Sequence, residues 1–307
     1  MRLFVHLLAI AACKGHAATP DAAAVVIDAT PVLDAPATCV ANGVPGTCMA
    51  IAQCYGSRTQ SAGLCPATAG ITCCSPRFAD GNTCDPDAVP TPNMGLVEEP
   101  GDATCPAGMA KVAGFCIDRF EASLVEGGAS WSPYFPPLTH VVRAASLRGA
   151  VPQAYIKQTE ARDACTAAGK RLCTDVEWLR ACQGPSLAPF PYGTTRQPGT
   201  CNDTRATDPA VELYGTAAPW IYEHLDSPCL DQLANGLAKT GAHAGCKTVE
   251  GVFDLMGNVV EWTDDPSGTL RGGDYVMSSG CVEVNTSHDT FFWDYRTGFR
   301  CCTAPTP

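Results

Sequence analysis

Apolar and polar positions alternate most clearly after residue 105. In CPAGMAKVAGFCIDRFEAS the apolar residues Val112, Phe115, Ile117 and Phe120 predict strands around a turn. In QTEARDACTAAGKRLC, Ala161, Ala164, Cys165 and Ala168 recur at helical spacing, with Thr159 placed as the N-cap and Gly169 just past the end. CTDVEWLRAC carries Thr174 and Glu177 at capping-box separation, and Val176, Leu179 and Cys182 share one face of the helix that follows. Residues 183–250 are rich in Gly, Pro, Asn and Asp and predict loops, while LRGGDYVM and TGFRCC return to strand patterning. These elements predict a loop-rich α+β domain.

The N-terminal third is patterned differently. MRLFVHLLAIAAC holds one Arg, an apolar run too short to span a membrane, and small residues before Cys13. Ile10-Ala11-Ala12-Cys13 resembles a bacterial lipobox, which implies a signal peptide over 1–12 and lipidation of Cys13; an ordinary cleaved signal peptide is the alternative. Lys14, rather than Asp, after that Cys favours an outer-membrane anchor. Residues 13–38 are Ala, Pro and Asp-rich and read as a flexible tether, because such a composition cannot bury enough apolar surface to offset ordering entropy.

Composition sharpens the picture. The chain has 307 residues and 19 cysteines, a count that argues for an oxidising compartment and a disulfide framework. With a net charge of −11 and no long Lys/Arg cluster, it is a poor candidate for binding nucleic acid or an anionic membrane face. Six cysteines, Cys39, Cys48, Cys54, Cys65, Cys73 and Cys74, crowd residues 39–74, a unit too small to fold on its core alone. The vicinal Cys73 and Cys74 are expected to take different partners. The spacing resembles the clip domain, whose pattern implies 39–73, 48–65 and 54–74. Residues 75–104 read as a second linker, stapled through Cys84. The main domain, 105–302, adds Cys105, Cys116, Cys165, Cys173, Cys182, Cys201, Cys229, Cys246, Cys281, Cys301 and Cys302, with a short tail over 303–307.

GKRLCTDVEW, GVFDLMGNVVEWT, RGGDYV and GFRCC follow one another in an order that resembles the formylglycine-generating (sulfatase-modifying factor) enzyme family. The resemblance implies a loop-rich variant of the C-type lectin fold. It also implies structural calcium on Asp254, Gly257, Val259 and Glu261, where two acids flank a Gly-Asn bend and oxygen donors suit a hard cation. A second family calcium site maps onto Asn202 and Asp203; acids that merely cap backbone N–H groups are the alternative. Catalytic members hold copper on two thiolates five residues apart, after the RGGS motif. Here Cys281 stands about where the first falls, and the position five further on is Thr286. Cys281 is therefore expected in a bridge to Cys301, Cys302 or another cysteine, with a free thiol, beside Met277 and His288, as the alternative.

No H-E-x-x-H, G-x-S-x-G or P-loop pattern occurs, and the six histidines do not pair at metal-ligand spacing. The expectation is a lipid-anchored envelope protein that binds a protein or glycan, or serves as a scaffold. The rival is an oxidase of a target-protein cysteine, and a third reading is a purely structural extracellular protein. The aromatic runs Phe291-Phe292-Trp293-Asp294-Tyr295 and Trp131, Tyr134, Phe135 are candidate recognition surfaces, or else core.

Overall fold

The computed structural model describes residues 37–54, 58–66, 69–78 and 82–306. The signal peptide, Cys13 and nearly all of the expected tether lie outside them. In chain order, β1 (Thr38–Ala41), β2 (Val44–Ala50), β3 (Arg58–Ser61) and β4 (Ile71–Phe78) form one antiparallel sheet in the order β1-β2-β4-β3. Its bridges are Cys39–Cys73, Cys48–Cys65 and Cys54–Cys74, the pairing the clip resemblance implied. The vicinal cysteines diverge because neighbouring strand residues point to opposite faces.

The main domain contributes β5 (Met109–Val112), β6 (Phe115–Asp118), β7 (Ala122–Glu126), β8 (Ala129–Ser130), β9 (Arg143–Ser146), α1 (Gln158–Ala167), β10 (Arg171–Leu172) and α2 (Asp175–Gln183). It continues with α3 (Pro209–Tyr214), β11 (Val260–Thr263), β12 (Thr269–Arg271), β13 (Val284–Asn285), β14 (Thr297–Phe299) and β15 (Cys301–Thr303). The strands make three small sheets, β10-β15-β6-β5, β13-β12-β11-β14 and β8-β7-β9, antiparallel except for β11 beside β14. The architecture is mixed and sheet-rich with few helices.

The helices show how local signals and tertiary demands divide. Helix α2 has the expected cap: the Thr174 side chain accepts from the Glu177 N–H, and Glu177 Oε2 returns to the Thr174 N–H at 3.0 Å. Helix α1 starts two residues earlier than expected, with Lys157 rather than Thr159 at the cap. Gln158 is drawn into the helix because its buried amide donates to the carbonyls of Thr263 and Asp265, and Glu160 satisfies the Lys157 N–H at 3.1 Å. LRGGDYVM is strand only through Arg271, since Gly272 and Gly273 both take positive φ and turn the chain away from its partner. Within the expected loop 183–250 the structure adds α3, started by Asp208 capping the Ala210 N–H and by Pro209 at the first position.

Among the described residues, the three largest apolar clusters lie in the main domain. One gathers Trp262, Phe299, Ile156 and the buried face of α1. A second surrounds Trp178 on α2 with Ile117, Val252 and the sulfurs of Cys173, Cys182, Cys281 and Cys302. The third packs Tyr155, Tyr275 and Tyr295 against Leu230 and Val259. The long-range disulfides lie inside these clusters: Cys165–Cys301 in the first, and Cys173–Cys302 and Cys182–Cys281 in the second, tie α1, the start of α2 and its last turn to the C-terminal third, while Cys201–Cys246 and Cys105–Cys116 close shorter loops. Cys84–Cys229 staples residues 75–104 to the domain, as expected, and buried Asn93 exchanges hydrogen bonds with both backbone groups of Val151.

Candidate functional site

The turn Asp254–Asn258 is the centre of the site. Asp254, Gly257 and Asn258 have φ of 55°, 78° and 61°, so three of its five residues are left-handed. Gly257 is required twice over, because a Cβ there would lie 2.3 Å from the Asn202 carbonyl oxygen. Asn202 and the turn, separate in the sequence reading, form one network. The Asn258 N–H donates to the Asn202 carbonyl at 2.8 Å, and the Asn202 amide donates to Asn258 Oδ1 at 2.9 Å. Asp203 pairs with Arg196 through Oδ2, while its buried Oδ1 has no hydrogen-bond partner.

Glu261 lies at the end of this turn on β11 and is fully buried. Arg300, also fully buried, donates to both of its oxygens at 2.5 and 2.7 Å, and the Trp178 indole N–H donates to Oε2 at 2.7 Å. The same guanidinium reaches the carbonyls of Asp118, Phe253 and Asp254, so it ties β6, the turn and β11 together. The R of GFR and the E of VEW are thus one ion pair, spanning 39 residues.

Sequence reasoning missed Glu121. Buried after β6, it accepts from the Val259 N–H at 3.1 Å and from the Asn258 amide, gripping the turn from the opposite side. Its only sequence signal was an acid standing amid the apolar positions of CIDRFEAS. Burial first, then repulsion from Asp254 and Glu261, raises its pKa well above the usual carboxylate range. Asp254, whose Oδ2 accepts from the Gly241 N–H at 2.6 Å, is pushed up to about 7, chiefly by burial.

These facts test the calcium ligand set. Three buried carboxyls gather around Arg300, with the more exposed Arg148 a weaker influence on Asp254, and the remaining negative charge calls for either protons or a cation. The unpartnered Asp203 oxygen is a further acceptor of the right chemistry. Against this, both Glu261 oxygens are already engaged by N–H donors. Among the described residues, the one cluster of His, Cys, Asp or Glu ligand atoms close enough to share a metal is the disulfide set Cys39, Cys48 and Cys65. The charge of the site fits calcium; the acids themselves do not converge on one point.

A pocket of about 310 Å³ opens beside this turn, along Gly272-Gly273-Asp274. Gly272 lies over Leu255 and Trp178, where a Cβ would come within 3.2 Å of the indole, and its carbonyl accepts from the Gly257 N–H. Asp274 Oδ1 accepts from the N–H groups of Val276 and Met277 at 2.7 and 2.8 Å, fixing the loop that presents Met277. Asp274, Glu283, Asp294 and Arg296 supply the charged lining, with Asp294 holding Arg296 at 2.6 Å. His288 stacks on Phe292 at 3.6 Å, and exposed Met277, Val284 and Phe291 lie in the same segments. Of the aromatic run, Phe291 is solvent-facing, Phe292 lines the pocket and Tyr295 is core. Phe135 is core as well, with Trp131 and Tyr134 half-buried.

Cys281 does not face this pocket as a thiol. It is bridged to Cys182 on α2 with its side chain fully buried. Each of the cysteines from Cys39 to Cys302 is in a disulfide. Among the described residues, therefore, no two free thiols stand together.

The sulfatase-modifying factor enzyme 1-like domain family (FGE-sulfatase) matches residues 93–305, and the chain belongs to that family. Among solved structures, PvdO from Pseudomonas aeruginosa is 15% identical over 62% of this chain and 80% of its own, with a TM-score of 0.39. CarF is 14% identical over 62% and 86%, with a TM-score of 0.38. The Major Tropism Determinant I1 variant is 13% identical over 85% and 63%, with a TM-score of 0.37. No curated protein matches.

Proposed function

We propose that this member of the sulfatase-modifying factor family is an exported binding or scaffold module of the bacterial cell envelope rather than a cysteine oxidase. The observation that carries the reading is the buried Cys182–Cys281 bridge. Copper(I) is held by soft thiolates, and a disulfide sulfur carries neither the charge nor the ligand strength to replace one. Thr286, five residues on, offers only a hydroxyl.

The disulfide density supports export, and no helix among the described residues is long and apolar enough to cross a membrane. Anchoring belongs to a lipid on Cys13. The loop-rich C-type lectin variant provides the frame, and its loops are where binding residues can change without loss of fold. The pocket beside Gly272-Gly273-Asp274 is the recognition site for a protein or glycan. Its Met and aromatic surroundings supply contact area, and the Asp274–Arg296–Asp294 group supplies orientation. Calcium is structural, assigned to Asp254, Gly257, Val259 and Glu261, with Asn202 and Asp203 adjoining; the uncompensated carboxyl charge supports it.

The test is alkylation of the denatured, unreduced protein followed by mass mapping of the peptide holding Cys281. The expected result is no label on Cys281 and recovery of a Cys182–Cys281 linked peptide. A free Cys281 that copper(I) protects from alkylation overturns the reading in favour of the oxidase.

A further inference from the structure

We infer that the cleft between the six-cysteine unit and the main domain is a second binding site, for a neutral saccharide. The cleft encloses about 380 Å³, within the roughly 300–1,000 Å³ range of small-ligand pockets, which favour such junctions. Met49 and Gln53 line it from the cysteine-rich unit, Asp87 from the linker, and Trp131 and His140 from the main domain, with Arg58 crossing between them.

Its walls are held in place independently of any ligand. Cys84–Cys229 fixes the linker, and Ser132 Oγ donates to the Pro86 carbonyl at 2.6 Å. Arg58 Nη2 pairs with Asp87 Oδ1 at 2.8 Å while the guanidinium lies 5.1 Å from the centre of the Phe135 ring. Trp131 is oriented by its indole N–H on the Phe135 carbonyl and by His140, whose ring centre is 4.7 Å away. A preformed site spares the ligand the cost of ordering it.

The chemistry of the lining selects the class. Arg58 is neutralised by Asp87, the one acid in the lining, and His140 Nδ1 is taken up by Glu126 at 3.0 Å, so the cleft presents no net charge to attract an anion or a cation. The net charge of −11 disfavours anions further. An indole beside Met49 is too apolar for a small polar metabolite, yet Gln53, Asp87 and Ser130 are too polar for a lipid chain. A pyranose matches both: one face of C–H groups for the indole, and an edge of hydroxyls for hydrogen bonds. The second carboxylate oxygen of Asp87, the Gln53 NH2 group and His140 Nε2 are the donors and acceptors for that edge.

Saturation-transfer NMR on the protein lacking residues 1–13 tests this, with N-acetylglucosamine, chitobiose, cellobiose and lactose as probes and sialic acid as the charged control. Probes at about 10 mM would populate even a millimolar complex. We expect transfer from at least one neutral sugar, weakened roughly tenfold by Trp131→Ala and severalfold by Gln53→Ala. Gln53 is exposed, so its variant keeps the fold and its melting temperature if Trp131→Ala does not. Three outcomes overturn the inference: no transfer from any neutral sugar, sialic acid binding alone, or neutral-sugar binding untouched by Gln53→Ala and by Asp87→Asn. In the last case the sugar belongs to the pocket beside Asp274.

Discussion

Glu261→Gln isolates what the Arg300 pair does. The substitution preserves volume and two polar atoms but leaves a fully buried guanidinium without its bidentate counter-ion. Removing one partner of a buried ion pair costs about 3–5 kcal/mol, because the remaining charge stays desolvated. At roughly 2–4 °C per kcal/mol for a domain of this size, the melting temperature should fall by about 10 °C. The neighbours make the loss pH-dependent. Asp254, with its pKa near 7, is protonated at pH 5 and ionised at pH 8. At pH 8 its carboxylate can replace part of the missing charge; at pH 5 it cannot. Calorimetry on the non-reduced protein should therefore find the variant's deficit larger at pH 5 than at pH 8. A deficit below about 1 kcal/mol at both values would refute the reasoning, since no measured cost would attach to orphaning Arg300. The same scans address calcium. If Glu261 acts chiefly as a calcium ligand, chelator should destabilise the wild type as much as the substitution does, and leave the variant unmoved.

Asp254→Asn should change the slope of stability against pH. The folded pKa near 7 exceeds the ordinary 3.8, so the folded state binds this proton more tightly. Its contribution is complete below about pH 4 and is lost as pH rises through 7, by as much as about 4 kcal/mol. Asn keeps an acceptor for Gly241 and tolerates φ of 55°, so in chelator-treated protein, where no calcium holds Asp254 ionised, the variant should gain on the wild type between pH 5 and 8 in melting scans; a relative loss there would contradict the raised pKa. Gly257→Ala places a Cβ 2.3 Å from the Asn202 carbonyl at φ 78°. It should cost about 3 kcal/mol or more, read by urea denaturation, whereas Gly128→Ala, with positive φ but open space, should cost only the backbone strain of about 1 kcal/mol.

Local rules carried a good part of this fold into the sequence. Thr174 and Glu177 mark a helix start three residues apart, and alternation marks β5 and β6, because the forces that set both act within a few residues. Gly257 and Asn258 mark a turn for the same reason, being tolerant of left-handed backbone. Cysteine usage marked the disulfide framework, though it left the partner of Cys281 open among several candidates.

Legible from the residues alone were β5, β6, α2 and the body of α1, the turn, and the family pattern in four ordered segments. Tertiary structure decided the rest. Cys281 meets Cys182 from 99 residues away, Glu261 meets Arg300, and Glu121 reaches Asn258 across 137 residues. No periodicity encodes such pairs. A buried charge needs some counter-charge, but which one is set by where β6, β11 and β14 bring the chain together. That placement gave Glu261 a guanidinium, closed Cys281 into a bridge, and opened a cleft beside Trp131.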